Sequence, residues 1–280
     1  MKKIIKKIVL LFILMLSVIG CTEKKSKIDK VKIAYIPFPL NVPSIVGKNK
    51  KIYDEVFEKH GIKVLYSEMS TGSEEIKALA AGEVDFVLSV STTALASFSK
   101  DNDIKIVNVN SRAPKSFSIY TNFDKITSPI DIKGMVIGVP VGGIAYQLLV
   151  SYLDSGGMTV ENVIIENMTM KNAEVALKNR KIDVAVVGGS LAYNLKKEGY
   201  KLITDGEGYI DGTTVSAVRK KFYKENPEII KIFEEAEAKV LDYIKNNPEE
   251  SMQIVSGELE LNINEVKLLY NDYDFNPEIK

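Results

Sequence analysis

The sequence contains no tryptophan, a single cysteine and a single histidine in 280 residues, and its 37 basic side chains match its 37 acidic ones. One thiol cannot form an internal disulfide or a Cys-rich metal cluster, so stability has to come from burial of a core. The lone histidine, His60, falls at the end of an expected surface helix just before Gly61, where a cation complements the helix dipole. No Ser-His-Asp set, no His/Cys metal spacing and no phosphate-loop lysine is present, which removes the usual carriers of hydrolytic, metal-assisted and phosphoryl chemistry. Lysines are scattered among glutamates and aspartates as on a solvated surface, and the clustered positive charge that nucleic acid requires is missing.

What is present begins at the N-terminus. Lys2, Lys3, Lys6 and Lys7 precede an apolar run from Ile8 to Ile19, followed by Gly20 and Cys21. A transmembrane helix needs roughly 20 apolar residues, so this shorter run reads as the apolar centre of an export signal. Val18-Ile19-Gly20-Cys21 resembles the bacterial lipobox, which implies that Cys21 is acylated and becomes the first residue of the mature protein; the competing reading is an ordinary buried thiol. Removing residues 1–20 takes away four lysines and no acid, leaving a mature formal charge of −4. Residues 21–30 read as a charged, flexible tether that places the protein outside the cell at the membrane surface.

From Val31 onward, strand-like and helix-like segments alternate. Val31–Ile36 is an expected strand, an amphipathic stretch from Pro43 to His60 an expected helix, and Ile62–Tyr66 a second strand. A helix over 73–81 stops at Gly82, and the continuous apolar run Asp85–Val90 has the character of a strand buried in a parallel sheet. The pattern predicts an open α/β sheet.

One segment recurs. Ser73-Glu-Glu-Ile-Lys-Ala-Leu79 followed by Val84-Asp85-Phe-Val-Leu is similar to Asn172-Ala-Glu-Val-Ala-Leu177 followed by Ile182-Asp183-Val-Ala-Val, with Leu at the same interval before Asp in both. Both copies run from the strand into small polar residues, Ser91-Thr92-Thr93 and Gly188-Gly189-Ser190. Two similar lobes are therefore expected, the first from 31–115 and 213–280, the second from 116–212, joined by two crossings that can act as a hinge.

Ligands of open α/β sheets bind beyond the carboxyl ends of the strands, where loops feed helix N-termini. Four loops qualify: Pro37 to Asn41, Ser91 to Thr93, Pro140 to Ile144 and Gly188 to Ser190. Helix starts carry about half a positive charge, so a cleft between them favours an anion. Gly142 and Gly143 would let backbone amides approach a ligand, although a tight turn needs the same residues. Ser91, Thr92 and Ser190 could equally be simple N-caps. Phe38 is the better candidate for a pocket floor than Tyr35, and Asn41 shares its loop. Thr213, where the chain re-enters the first lobe, joins the candidates. Arg112 near the hinge and Arg180 in a helix-to-strand turn are expected at the surface.

The mature chain resembles the substrate-binding proteins of ABC importers for sulfonates, taurine, nitrate and the thiamine-precursor pyrimidine. The resemblance rests on Asn41-Val-Pro-Ser-Ile-Val46, Ala78-Leu-Ala-Ala-Gly-Glu-Val-Asp85, Ser128-Pro-Ile-Asp-Ile-Lys-Gly134 leading into Val136–Val139, and Val218-Arg-Lys-Lys-Phe222 with Pro227-Glu228. It implies a type II periplasmic-binding-protein fold, an ABC permease as partner, no cofactor, and a monomer whose cleft is lined by Ser91, Thr92, Ser116, Gly142, Gly143 and Gly189. Sulfonate binders often carry bulkier residues where this chain has Gly188-Gly189-Ser190, which points to a different solute. Two other classes stay open: a ligand-sensing lipoprotein without a transporter, and a pyrimidine-synthase-like enzyme of the same fold, whose Cys- and His-based chemistry has no counterpart here.

Overall fold

The computed structural model describes residues 28–91, 95 and 103–275. The export segment, Cys21, most of the tether and Thr92 lie outside the described residues. Ten strands follow in order: β1 (Lys30–Tyr35), β2 (Lys63–Glu68), β3 (Phe86–Ser91), β4 (Ile104–Arg112), β5 (Phe117–Thr121), β6 (Val136–Val139), β7 (Ile164–Asn167), β8 (Val184–Gly188), β9 (Lys201–Asp205) and β10 (Thr213–Arg219). They form two five-stranded sheets with the orders β2-β1-β3-β10-β4 and β7-β6-β8-β5-β9. In each, the first three strands pair in parallel and the fourth is antiparallel to both of its neighbours. The chain passes from the first sheet to the second between Arg112 and Phe117, and returns between Asp205 and Thr213.

Helices α1 (Val42–Asn49), α2 (Ile52–Glu58) and α3 (Gly72–Ala81) belong to the first sheet. Helices α4 (Ile144–Ser155), α5 (Met170–Lys178) and α6 (Ser190–Lys197) belong to the second. After β10 come α7 (Lys220–Glu225), α8 (Pro227–Asn246), α9 (Pro248–Glu258) and α10 (Ile263–Tyr270). One face of the first sheet is closed by α1, α2 and α8, where the Phe86 and Phe233 rings stack with centroids 4.0 Å apart. Its other face takes Ile76 and Leu79 of α3. Leu148, Leu149 and Leu153 of α4 and Ala173 and Leu177 of α5 cover the second sheet on opposite sides.

The repeated sequence has a structural meaning. Asp85 accepts from the amide of Lys32 at 2.9 Å and donates its own amide to the Lys32 carbonyl. Asp183 does the same with Val136, accepting at 2.8 Å. Each repeat thus uses one carboxylate to clamp the neighbouring parallel strand, β1 in the first sheet and β6 in the second, and Leu79 and Leu177 are fully buried six residues earlier.

One expected element divides. The helix anticipated from Pro43 to His60 is two helices, broken where Lys51 adopts φ +55°. The break lets Tyr53 fold back over Gly47, where a Cβ would lie 2.4 Å from the tyrosine ring. Packing of that ring against the core overrides the helical periodicity.

Candidate ligand-binding cleft

Topology places the candidate loops on two opposed sheet edges. In the second sheet, β6 and β8 run parallel, so Val139 and Gly188 open into loops at the same edge. Phe117 of antiparallel β5 pairs with Gly188 and brings Ser116 there as well. In the first sheet, the loop after Tyr35, the end of β3 at Ser91 and the start of β10 share an edge, because Thr214 pairs with Ser91.

The two edges meet at one place. Gly189 donates its amide to the Ser116 carbonyl at 2.8 Å, and a Cβ on Gly189 would lie 3.3 Å from Pro39 and 3.4 Å from the Phe38 ring. Phe38 packs on the second-lobe core, and Leu40, 1% exposed, is part of it. The Leu40 carbonyl accepts from Ser111, whose hydroxyl shares a 2.6 Å hydrogen bond with Thr214. Phe38, Ser116 and Gly189 are therefore brought together.

Gly142 and Gly143 stand at the start of α4 with open space in front of both α-carbons. Gly142 adopts φ +91°, a conformation that favours glycine, and Asn167 steadies the loop by accepting from the Val141 amide at 3.0 Å. Gly143 and Gly189 occupy the N-cap positions of α4 and α6, where no side chain caps the helix. The first amides of both helices lack a capping side chain, and partial positive charge gathers there.

The other candidates have local duties. Asn41 is 4% exposed and donates to the Ile36 carbonyl at 2.9 Å, bracing its own loop. Ser91 is nearly buried at the end of β3, and Ser190 is half-buried at the first position of α6. The Thr213 hydroxyl donates to Asp211 at 2.5 Å, and Asp211 accepts from Arg112 Nε at 2.6 Å, so Thr213 helps clasp the two crossings. The Thr213 hydroxyl, with the Arg112 guanidinium beside it, holds the Asp211 carboxyl below the usual range. Arg112 is spent on this clasp. Arg180 sits exposed in a left-handed turn. None of the ten candidate ligand contacts carries a formal charge. Among the described residues, no group of three His, Cys, Asp or Glu side chains could hold a metal ion.

Sequence reasoning missed Tyr273. It packs against the cores of both lobes, and its neighbour Asp274 exchanges two main-chain hydrogen bonds, 2.8 and 2.9 Å, with Arg112 at the first crossing. The only local signal is the aromatic pair Tyr273 and Phe275; the return of this segment to the hinge is a tertiary event with no motif.

A sequence profile described as NMT1/THI5-like matches residues 50–251. A Bacillus subtilis (strain 168) protein provisionally named as binding aliphatic sulfonates is 25% identical over 219 residues, covering 76% of this chain and 65% of that protein. A Brachyspira hyodysenteriae protein provisionally named as an ABC transporter periplasmic binding protein is 26% identical over 219 residues, covering 72% of this chain and 62% of that protein. The match thus spans less than two thirds of these curated relatives. Among solved structures, the alkanesulfonate-binding protein SsuA of Xanthomonas axonopodis pv. citri, bound to MOPS, superposes with a TM-score of 0.77 at 16% identity, over 88% of this chain and 85% of that one. At that identity the likeness establishes the fold, the type II periplasmic-binding-protein architecture.

Proposed function

The chain belongs to the NMT1/THI5-like family, and from that premise we propose that it is the solute-binding component of an ABC importer, capturing a small anionic or heterocyclic solute between its lobes without altering it. One observation carries the reading. Glycines stand at the N-caps of α4 and α6, and open space lies before Gly142 and Gly143. Backbone amides at a helix start, aided by about half a positive charge, bind an anion without a charged side chain.

The lobes, 31–115 with 213–280 and 116–212, move about the crossings at Arg112–Phe117 and Asp205–Thr213. An anion at α4 is completed by the Phe38 loop from the opposite lobe, so solute favours the closed form by its differential affinity. The closed pair of lobes then presents one surface to a permease. Acylation of Cys21 holds the monomer at the outer face of the membrane while it does so. The names of relatives favour a sulfonate; nitrate, taurine and pyrimidines remain within the same chemistry of oxygen and ring recognition.

Thermal melting of the soluble chain from residue 22 onward, with ethanesulfonate, taurine, nitrate and an aminopyrimidine each in large excess, tests the reading. A bound solute at about a hundred times its dissociation constant stabilises the fold by roughly 2.7 kcal/mol. No shift with any of the four, or turnover of any of them, would contradict it.

A further inference from the structure

Two buried hydroxyls are left over near the first crossing. Ser116 is 4% exposed, and neither its Oγ nor the buried Tyr273 Oη makes a hydrogen bond among the described residues. Ser116 is near enough to lower the Tyr273 phenol against the upward push of burial, yet the two make no hydrogen bond. Buried polar atoms are nearly always paired, so each exception calls for a cause. A small rotation that joined these two would not supply one. Each hydroxyl brings one donor, and a mutual bond uses a single donor, so one O–H would still lack an acceptor.

We propose that Tyr273 is a ligand-contacting residue, its hydroxyl acting together with that of Ser116 to donate to an oxyanion of the captured solute. The proposal rests on the solute-binding function above and extends the site to the C-terminal segment. Ser116 is fixed beside the meeting point of the lobes, since its carbonyl holds the Gly189 amide and Gly189 abuts Phe38 and Pro39. Tyr273 is fixed by its ring, which packs on both cores, and by the paired backbone bonds of Asp274 to Arg112. Burial pushes the Tyr273 phenol upward, so it stays a donor across the physiological range. A donor pair with no acceptor of its own suits an acceptor that arrives with the ligand. A segment that touches both lobes and the solute also makes closure depend on occupancy.

Calorimetric titration of ethanesulfonate into wild type, Tyr273→Phe and Ser116→Ala, paired with melting of each ligand-free protein, tests this. Each single variant is expected to lose about tenfold to a hundredfold in affinity, the usual worth of a hydrogen bond to a charged group. Ligand-free melting temperature should hold or rise, because an unpaired buried hydroxyl has been removed. Affinity within twofold of wild type in Tyr273→Phe overturns the proposal and leaves solute capture standing. A lower ligand-free melting temperature with unchanged affinity also overturns it, assigning the hydroxyl to an internal water. If wild type binds neither ethanesulfonate nor the other three solutes, the functional reading fails and Tyr273 falls with it.

Discussion

Tyr53 donates to Glu237 across 2.5 Å in the interior of the first lobe. Glu237, 3% exposed, also accepts from Asn108 of β4 and Ser216 of β10 at 3.0 Å each, and Ser216 is further bonded to Asn110. The network ties α2 and α8 to the two strands that continue into the crossings.

Breaking this network should therefore cost much more than breaking a surface pair. Tyr53→Phe leaves a buried carboxylate short of a donor and is expected to destabilise by about 1–3 kcal/mol in urea unfolding. Glu235→Gln removes the solvent-screened contact with Lys239 and should leave the urea midpoint nearly unchanged. Equal effects would mean that the interior bonds are not formed in solution.

Glu75 gives a pH signature. It is fully buried in the first turn of α3, and neither oxygen has a hydrogen-bond partner among the described residues. Burial, and to a lesser degree Glu74, pushes its carboxyl well above the ordinary value. A raised carboxyl favours the native state most below the unfolded pKa, and that advantage is lost as the pH rises toward the folded value. The melting temperature of Glu75→Gln relative to wild type should climb as the pH is raised from acid toward neutral. A difference that stays flat across that range would mean that Glu75 is solvated.

Gly189 differs from Gly143 in what a side chain would meet. Gly189 combines φ +58° with ψ −134°, which L residues avoid, and a Cβ would press on Pro39 at 3.3 Å. Gly189→Ala is expected to cost about 1–3 kcal/mol of stability from backbone strain alone, visible as a lower urea midpoint. Gly143 adopts ordinary extended geometry with open space before it, so Gly143→Ala should change stability by less than about 0.5 kcal/mol.

The two sheets were legible because a pattern recurs in the chain. The recurrence of Leu79 with Asp85 and of Leu177 with Asp183 pointed to two similar sheets, and in the structure each aspartate clamps the strand beside it. Strands β4, β7 and β9 were not read in advance. β7 is a short, mostly exposed edge strand and β9 a half-exposed one, and β4 carries Lys105, Asn108 and Asn110, so none shows a long apolar run. The split of the helix at Lys51 could not be read either, since the ring of Tyr53 over Gly47 decides it. For the cleft, glycine positions were visible because a backbone role leaves a residue type behind. The ion pair of Arg112 with Asp211 and the return of the Tyr273–Asp274 segment to Arg112 were not, because they join segments far apart in sequence.

The central claim is that a small anion is held reversibly at the start of α4 and released unchanged. Native mass spectrometry of wild type and Gly143→Leu, titrated with ethanesulfonate, taurine, nitrate and an aminopyrimidine, measures it directly. The account predicts a complex of one solute per wild-type chain, release of a solute of unaltered mass on unfolding, and at least about a tenfold loss of affinity in Gly143→Leu from exclusion of the ligand at the helix start. An altered solute mass, or equal affinity in Gly143→Leu, would contradict it.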